Sequence, residues 1–273
     1  MIARTLLAAA LATAPALVPA AAPAQGFTVI EDIVSTSLRP GWRTPQGTHM
    51  AAIEITLAPG WKTYWRSPGE GGIPPLFDWS GSRNLQGVTL HWPRPQVFQQ
   101  AGLESIGYHD RLVLPIELAP ATPGAPIELR ARVQIGVCED VCIPYGFEID
   151  TVLSPGAGSD PAIRAALAER PLSVGEAGLG AHGCRIEPIA DGLRVTATLE
   201  LPATGNPETL VFELPDPDIW ISQSAVARDG TRLVATAEMV PPAGAPFALD
   251  RSTLRLTVVG RDRAVDIAGC PAG

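Results

Sequence analysis

The chain has 273 residues, a formal net charge of −8 and a pI near 5.0, which argues against nucleic acid or an anionic membrane surface as a partner. Its 28 prolines and 27 glycines stay below the low-complexity range, and their even scatter between short apolar segments reads as turn punctuation in an all-β protein. The four cysteines are an even set, so the compartment decides what they do.

The N-terminus, "MIARTLLAAALATAPALVPAAAPAQG", reads as a secretory leader over residues 1–24. Arg4 supplies the positive start, Leu6 to Ala14 the apolar stretch, and Ala22-Pro23-Ala24 a cleavage site before Gln25. Pro15, Pro19 and Pro23 make it a poor membrane-spanning helix; a tethered N-terminal helix is the alternative. No twin-arginine pair is present, so ordinary unfolded export is the simpler route. Export would carry the cysteines into an oxidising environment that favours disulfides.

A first domain is expected over residues 25–153. Its strand candidates are His49–Ala58, Val88–Trp92, Arg111–Ala119, Pro126–Val137 and Tyr145–Ser154. Within the fourth, Ile127, Leu129, Ala131, Val133 and Ile135 share one face, while Glu128, Arg130, Arg132 and Gln134 share the other. That period of two marks a half-buried strand of an antiparallel sheet, and many such strands with turn signals predict a β-sandwich. Residues 154–171 form a linker, "SPGAGSDP" followed by a short helix that Asp160 caps, Pro161 starts and Pro171 stops. Residues 172–273 form a second β-rich domain, with strands in "GLRVTATLELP", "TLVFELP", "RLVATAEMV" and "TLRLTVVG". No sequence repeat between the halves is strong enough to mark a duplication.

The cysteines fall into two unlike pairs. Cys138 and Cys142 bracket "CEDVC", the one candidate reversal between two strands. Four residues apart on a continuous strand they would lie roughly 13 Å from each other, but a tight turn brings them within disulfide reach. A loop of about five residues gains only about 2 kcal/mol from closure, whereas joining Cys184 to Cys270 closes about 87 residues and gains roughly 4.6 kcal/mol. The distant pair reads as a structural staple. The close pair is either a second staple or a redox couple, since small loops are easier to reduce. A copper(I) or zinc clip is the weakest reading, because no histidine lies in the hairpin and His109 could approach only through folding.

"CEDVCIPYGFEI", preceded by "GYHDRLVLPIEL" and "PGWKTYWRSPGEGGIPPLFDW", resembles the N-terminal periplasmic domain of the DsbD thiol–disulfide interchange proteins, and within them the ScsB-like branch. The likeness covers about Ser35 to Leu153. It implies an immunoglobulin-like β-sandwich in the periplasm whose cysteine pair cycles between dithiol and disulfide without a cofactor or metal. The implied partners are thioredoxin-fold periplasmic proteins and a membrane thiol–electron conduit, so that any link to the membrane runs through a partner. Associations with cytochrome c biogenesis and copper tolerance come with the same resemblance.

By motif match Cys142 is the cysteine that forms mixed disulfides, and Cys138 resolves them. The family's loop before the "RL" strand caps the pair; here it falls in "FQQAGLESIGYHDRL", with Tyr108, Asp110 and Arg111 in register. The cap aromatic is replaced by Ala101-Gly102-Leu103, leaving Phe98 or Leu103 as substitutes. Full-length members also carry a membrane segment and a thioredoxin-like domain that this chain lacks. Separate proteins would then supply those steps, or the chain keeps the sandwich without electron transfer.

Trp61, Tyr64 and Trp65 are candidates to line the pair, or to pack in the core. Glu139 and Asp140 disfavour thiolate beside them, and are also good turn residues. Glu70, among Gly69, Gly71 and Gly72, reads as a turn or a partner-facing acid. His91 reads as a surface strand residue. Hydrolase chemistry has no support, since no Ser/His/Asp set, phosphate loop or paired carboxylate stands out. The remaining functional alternatives are an exported binding module with two structural disulfides and a copper-handling protein.

Overall fold

The computed structural model describes residues 29–100, 102–154 and 158–273; the expected leader lies outside them. A short helix α1 (Ile30–Ile33) leads into ten strands: β1 (Val34–Arg43), β2 (His49–Leu57), β3 (Lys62–Tyr64), β4 (Leu76–Asp78), β5 (Gly87–Leu90), β6 (Gln96–Gln100), β7 (Leu103–His109), β8 (Arg111–Ala119), β9 (Ile127–Cys138) and β10 (Cys142–Leu153). They form two antiparallel sheets, one ordered β1-β2-β8-β5 and the other β10-β9-β3-β7-β6, with β4 added along β9.

Period-two patterning places the core between these sheets. On β9, Ile127, Leu129, Ala131, Val133 and Ile135 are buried while the residues between them are exposed, as the alternation predicts. They meet Ile53 and Ile55 of β2 and Leu114 and Ile116 of β8. The outward residues Met50, Ala52 and Val113 are covered by α2 (Pro161–Ala168), which lays Ile163 and Leu167 on them. Asp160 caps this helix by accepting from the N–H groups of Ala162 and Ile163 at 2.7 and 3.3 Å, and its other oxygen pairs with Arg39 at 2.9 Å. The expected linker helix is therefore also a lid on the first sheet.

A second short helix, α3 (Val174–Ala177), begins with a Ser173/Glu176 capping box. Eight strands follow: β11 (His182–Pro188), β12 (Leu193–Glu200), β13 (Thr209–Glu213), β14 (Trp220–Ile221), β15 (Ala225–Asp229), β16 (Arg232–Val240), β17 (Arg255–Val259) and β18 (Ala264–Ala268). One sheet is ordered β11-β12-β16-β14, with β15 also on β16, and the other β13-β17-β18. Val195, Leu199, Leu233, Leu256 and Val258 fill the space between them. Cys184 on β11 is bonded to Cys270 just beyond β18. The fold is all-β, an immunoglobulin-like sandwich followed by a second pair of β-sheets. Among the described residues no helix is long and apolar enough to cross a membrane.

The segment expected as a capping loop is instead the β6–β7 hairpin, paired from Gln96↔Gly107 to Gln100↔Leu103. Its alternation is hidden in sequence because Glu104 and Ser105 occupy buried positions.

Candidate functional site

The β9–β10 hairpin is tight enough that Cys138 and Cys142 are directly opposite each other, with Cα atoms 4.2 Å apart and the sulfurs bonded. The two are unequal. Cys138 is fully buried, while Cys142 and the turn residues Glu139, Asp140 and Val141 are exposed. Cys142 is thus the member of the pair that borders solvent, and Cys138 is shielded from it.

The surroundings follow from sheet register. β3 lies between β9 and β7, with Lys62 opposite Cys138 on one side and His109 on the other, and Tyr64 opposite Gly107. Side chains two apart on a strand share a face, so Lys62 and Tyr64 stand on the face that carries the cysteines. The Tyr64 hydroxyl lies 3.1 Å from Cys142 Sγ and donates toward the Gly71 carbonyl at 3.3 Å. Burial holds this phenol above its usual pKa, so it remains a protonated donor at neutral pH.

Two glycines make room for the Tyr64 ring. A Cβ on Gly136 of β9 would come within 2.9 and 3.0 Å of ring atoms and 2.7 Å of Ile73 Cβ. A Cβ on Gly72 would stand 2.9 Å from another ring atom. Beside them, the Phe98 ring meets His109 edge-on at 4.4 Å, and Lys62 Nζ lies 5.8 Å from its centre. The Glu139 carboxylate folds over Gly60, reaching 2.8 Å from where a Cβ would be.

Of the candidates read from sequence, Cys138, Cys142, Tyr64 and Phe98 thus fall on one face of the sheet. Leu103 does not cover the pair: it is 47 % exposed near the β6–β7 turn, with Gly71 as its neighbour. Trp65 and Tyr108 are corrections. Each is one residue out of phase with the site face, and both are buried in the first core. Tyr108 stacks on Trp92 and donates its hydroxyl to the Pro93 carbonyl at 2.8 Å. Asp110 and Arg111 are equally structural, the first at a positive φ of 59° and the second ion-paired to Glu54. His91 bonds Glu117 across the surface at 2.9 Å. Among the described residues no cluster of three or more His, Cys, Asp or Glu could hold a metal ion.

Sequence reading missed Lys62, Gly72 and Gly136. A signal existed for Lys62, which is two residues before Tyr64 and so shares its face. For Gly136 there was none, because the space it leaves is used by a residue far away in the chain, and Gly72 read only as part of a turn.

Residues 35–153 match the family model described as thiol:disulfide interchange protein DsbD, N-terminal. The fold is similar to the crystal structure of the N-terminal periplasmic domain of ScsB from Proteus mirabilis, with a TM-score of 0.70 at 22% identity, over 90% of this chain and 96% of that one. No curated protein matches the chain in sequence.

Proposed function

We propose, from the premise that residues 35–153 form a DsbD-type N-terminal domain, that the chain relays reducing equivalents by thiol–disulfide exchange through Cys138 and Cys142. The observation that carries this reading is the asymmetry of the pair: an exposed residue, Cys142, bonded to a fully buried one, Cys138.

The exchange balances in two steps each way. A donor thiolate attacks Cys142 Sγ, forming a mixed disulfide while the intramolecular bond breaks and Cys138 leaves as thiolate. The donor's second thiolate then attacks its own sulfur in that bond, releasing Cys142 as thiolate and leaving the donor oxidised. In the onward direction Cys142 thiolate attacks one sulfur of the acceptor's disulfide, forming a mixed disulfide while that bond breaks and the acceptor's other sulfur leaves as thiolate. Cys138 thiolate next attacks Cys142 Sγ, re-forming the bridge and releasing the reduced acceptor. No cofactor takes part.

The donor in this reading is a membrane thiol conduit and the acceptors are thioredoxin-fold proteins, all meeting the chain in the periplasm after removal of residues 1–24. Residues 25–153 would carry the exchange, residues 154–171 link, and residues 172–273 form a second domain held by the Cys184–Cys270 staple. Cytochrome c biogenesis and copper tolerance are processes in which such a relay could serve.

The test is trapping. With Cys138→Ala, Cys142 persists as a lone thiol and should accumulate mixed disulfides with thioredoxin-fold partners on non-reducing gels. With Cys142→Ala, the remaining thiol is buried and trapping should be weak or absent. Equal trapping by both variants would remove the assignment of roles, and trapping by neither would sink the relay.

A further inference from the structure

The loop that seats Tyr64 is gripped from the second sandwich. Residues 66–74 continue from β3, and within them Gly71 supplies the carbonyl that the Tyr64 hydroxyl faces. Arg66, stacked 4.0 Å from the Trp65 ring centre, donates from Nε to Glu213 Oε1 at 2.8 Å and from Nη2 to Glu213 Oε2 at 2.9 Å. It also reaches Thr257 Oγ1 at 3.2 Å. Both partners of the Arg66–Glu213 pair are mostly shielded, at 17% and 16% side-chain exposure, and a bidentate pair of this kind fixes geometry as well as charge.

A second tie lies further along the loop. Gln223 donates its backbone N–H to Glu70 at 3.4 Å and its amide to Glu104 Oε2 at 3.1 Å. Glu104 in turn accepts from Thr209 Oγ1 at 3.1 Å, and its own carbonyl accepts from the Gly71 N–H at 3.3 Å. The residue that faces the phenol is thus hydrogen-bonded to the main chain of Glu104, whose side chain is held by Thr209 of β13.

We propose that the second sandwich is a positioning element for the exchange reaction: through Arg66–Glu213 and Gln223 it fixes the 66–74 loop and so holds the Tyr64 hydroxyl at the Cys142 sulfur. The inference rests on the relay reading. The phenol proton has two acceptors in reach, the Gly71 carbonyl and Cys142 Sγ. When Cys142 is a thiolate, donation from Tyr64 stabilises the anion over the thiol. That anion is the form that attacks an acceptor disulfide and the form released when a donor departs. A loosened loop lets Tyr64 move with Gly71 and withdraws the donor. The charged or titratable groups packed around the pair are Lys62 on β3, His109 on β7, and Glu139 and Asp140 in the turn; the variants below leave them untouched.

The test uses the full chain carrying Cys138→Ala and reads the pH midpoint of Cys142 alkylation by iodoacetamide. Adding Tyr64→Phe should raise that midpoint by about one unit or more, because the anion loses one charge-assisted hydrogen bond. Glu213→Gln combined with Glu70→Ala, which weaken the Arg66 pair and remove the acceptor of the Gln223 N–H, should move it the same way by a smaller amount. Circular dichroism checks folding, and the exposed Glu70→Ala alone serves if the combined variant does not fold. A midpoint that moves with Tyr64→Phe yet stays within about 0.2 unit in the loop-releasing variants overturns the proposal, as does one that ignores Tyr64→Phe. Either result leaves the relay standing, since the relay is judged on whether Cys138→Ala traps a partner.

Discussion

Removing each disulfide separately should reveal a difference in kind between them. Cys184 and Cys270 are each 1% exposed within the second core and bridge a sequence separation of 86. Hydrogen bonds join the same segments beside the bond. The Cys184 N–H donates to the Pro271 carbonyl at 2.8 Å, and Arg251 Nη1 donates to the Cys184 carbonyl at 2.6 Å. The bridge therefore acts chiefly by restricting the unfolded chain, for which loop closure gives roughly 4.6 kcal/mol, and Cys184→Ala with Cys270→Ala should cost roughly 2–5 kcal/mol. The Cys138–Cys142 bridge closes a separation of 4 at the end of a hairpin whose strands stay paired from Cys138↔Cys142 to Ile127↔Leu153. Its loop gives only about 2 kcal/mol on the same formula, so the double alanine variant there should lose clearly less while abolishing exchange. Urea titration followed by circular dichroism compares the two. Equal losses, or a larger one at the hairpin, would refute the division into staple and working pair.

Graded reduction with alkylation and peptide mapping should open Cys138–Cys142 first, because Cys142 is exposed and the other pair is not; if the distant pair opened first the roles would be reversed. Gly136→Ala should cost about 1–3 kcal/mol, since the new methyl must displace the Tyr64 ring or Ile73. It should also slow alkylation of Cys142 in the Cys138→Ala background, and an unchanged rate would separate Tyr64 from the thiol. Burial raises the Glu104 carboxyl above its ordinary 4.5, so the native state holds this proton more tightly than the unfolded chain. The contribution of this group is full below the unfolded value and lost as pH rises through the folded one. Relative to Glu104→Gln, the parent should gain urea resistance between about pH 7 and pH 4, and parallel curves would contradict that sign.

Much of the fold was legible because several strands carry their own alternation. Arg111–Ala119 and Arg232–Val240 are found at their expected limits, and Asp160, Pro161 and the alanine-rich run after them state a helix start in local chemistry. The strands that escaped reading are those whose residues answer to distant partners. β3 has three residues, all buried, too few to show a period. β7 buries Glu104 and Ser105, and Glu104 is satisfied by Thr209 and Gln223 from the other sandwich. Polar residues in such places look like loop until the partner is present.

The same distinction governs the site. Cys138 and Cys142 announce themselves by spacing, because a hairpin disulfide is a local object. Which of two adjacent aromatics serves them is not local. In "KTYW" either Tyr64 or Trp65 could face the thiols, and the choice is made by pairing Lys62 with Cys138. That register sends Tyr64 to the cysteine face and Trp65 into the core, where Arg66 stacks on it and reaches Glu213. One step of phase thus assigns three successive residues to three tasks: a donor at the sulfur, a core anchor, and a tie to the second sandwich. A slip of one residue would exchange the first two. It would bury a phenol without its acceptor and expose an indole beside the disulfide, so the core and the candidate redox site select the same register.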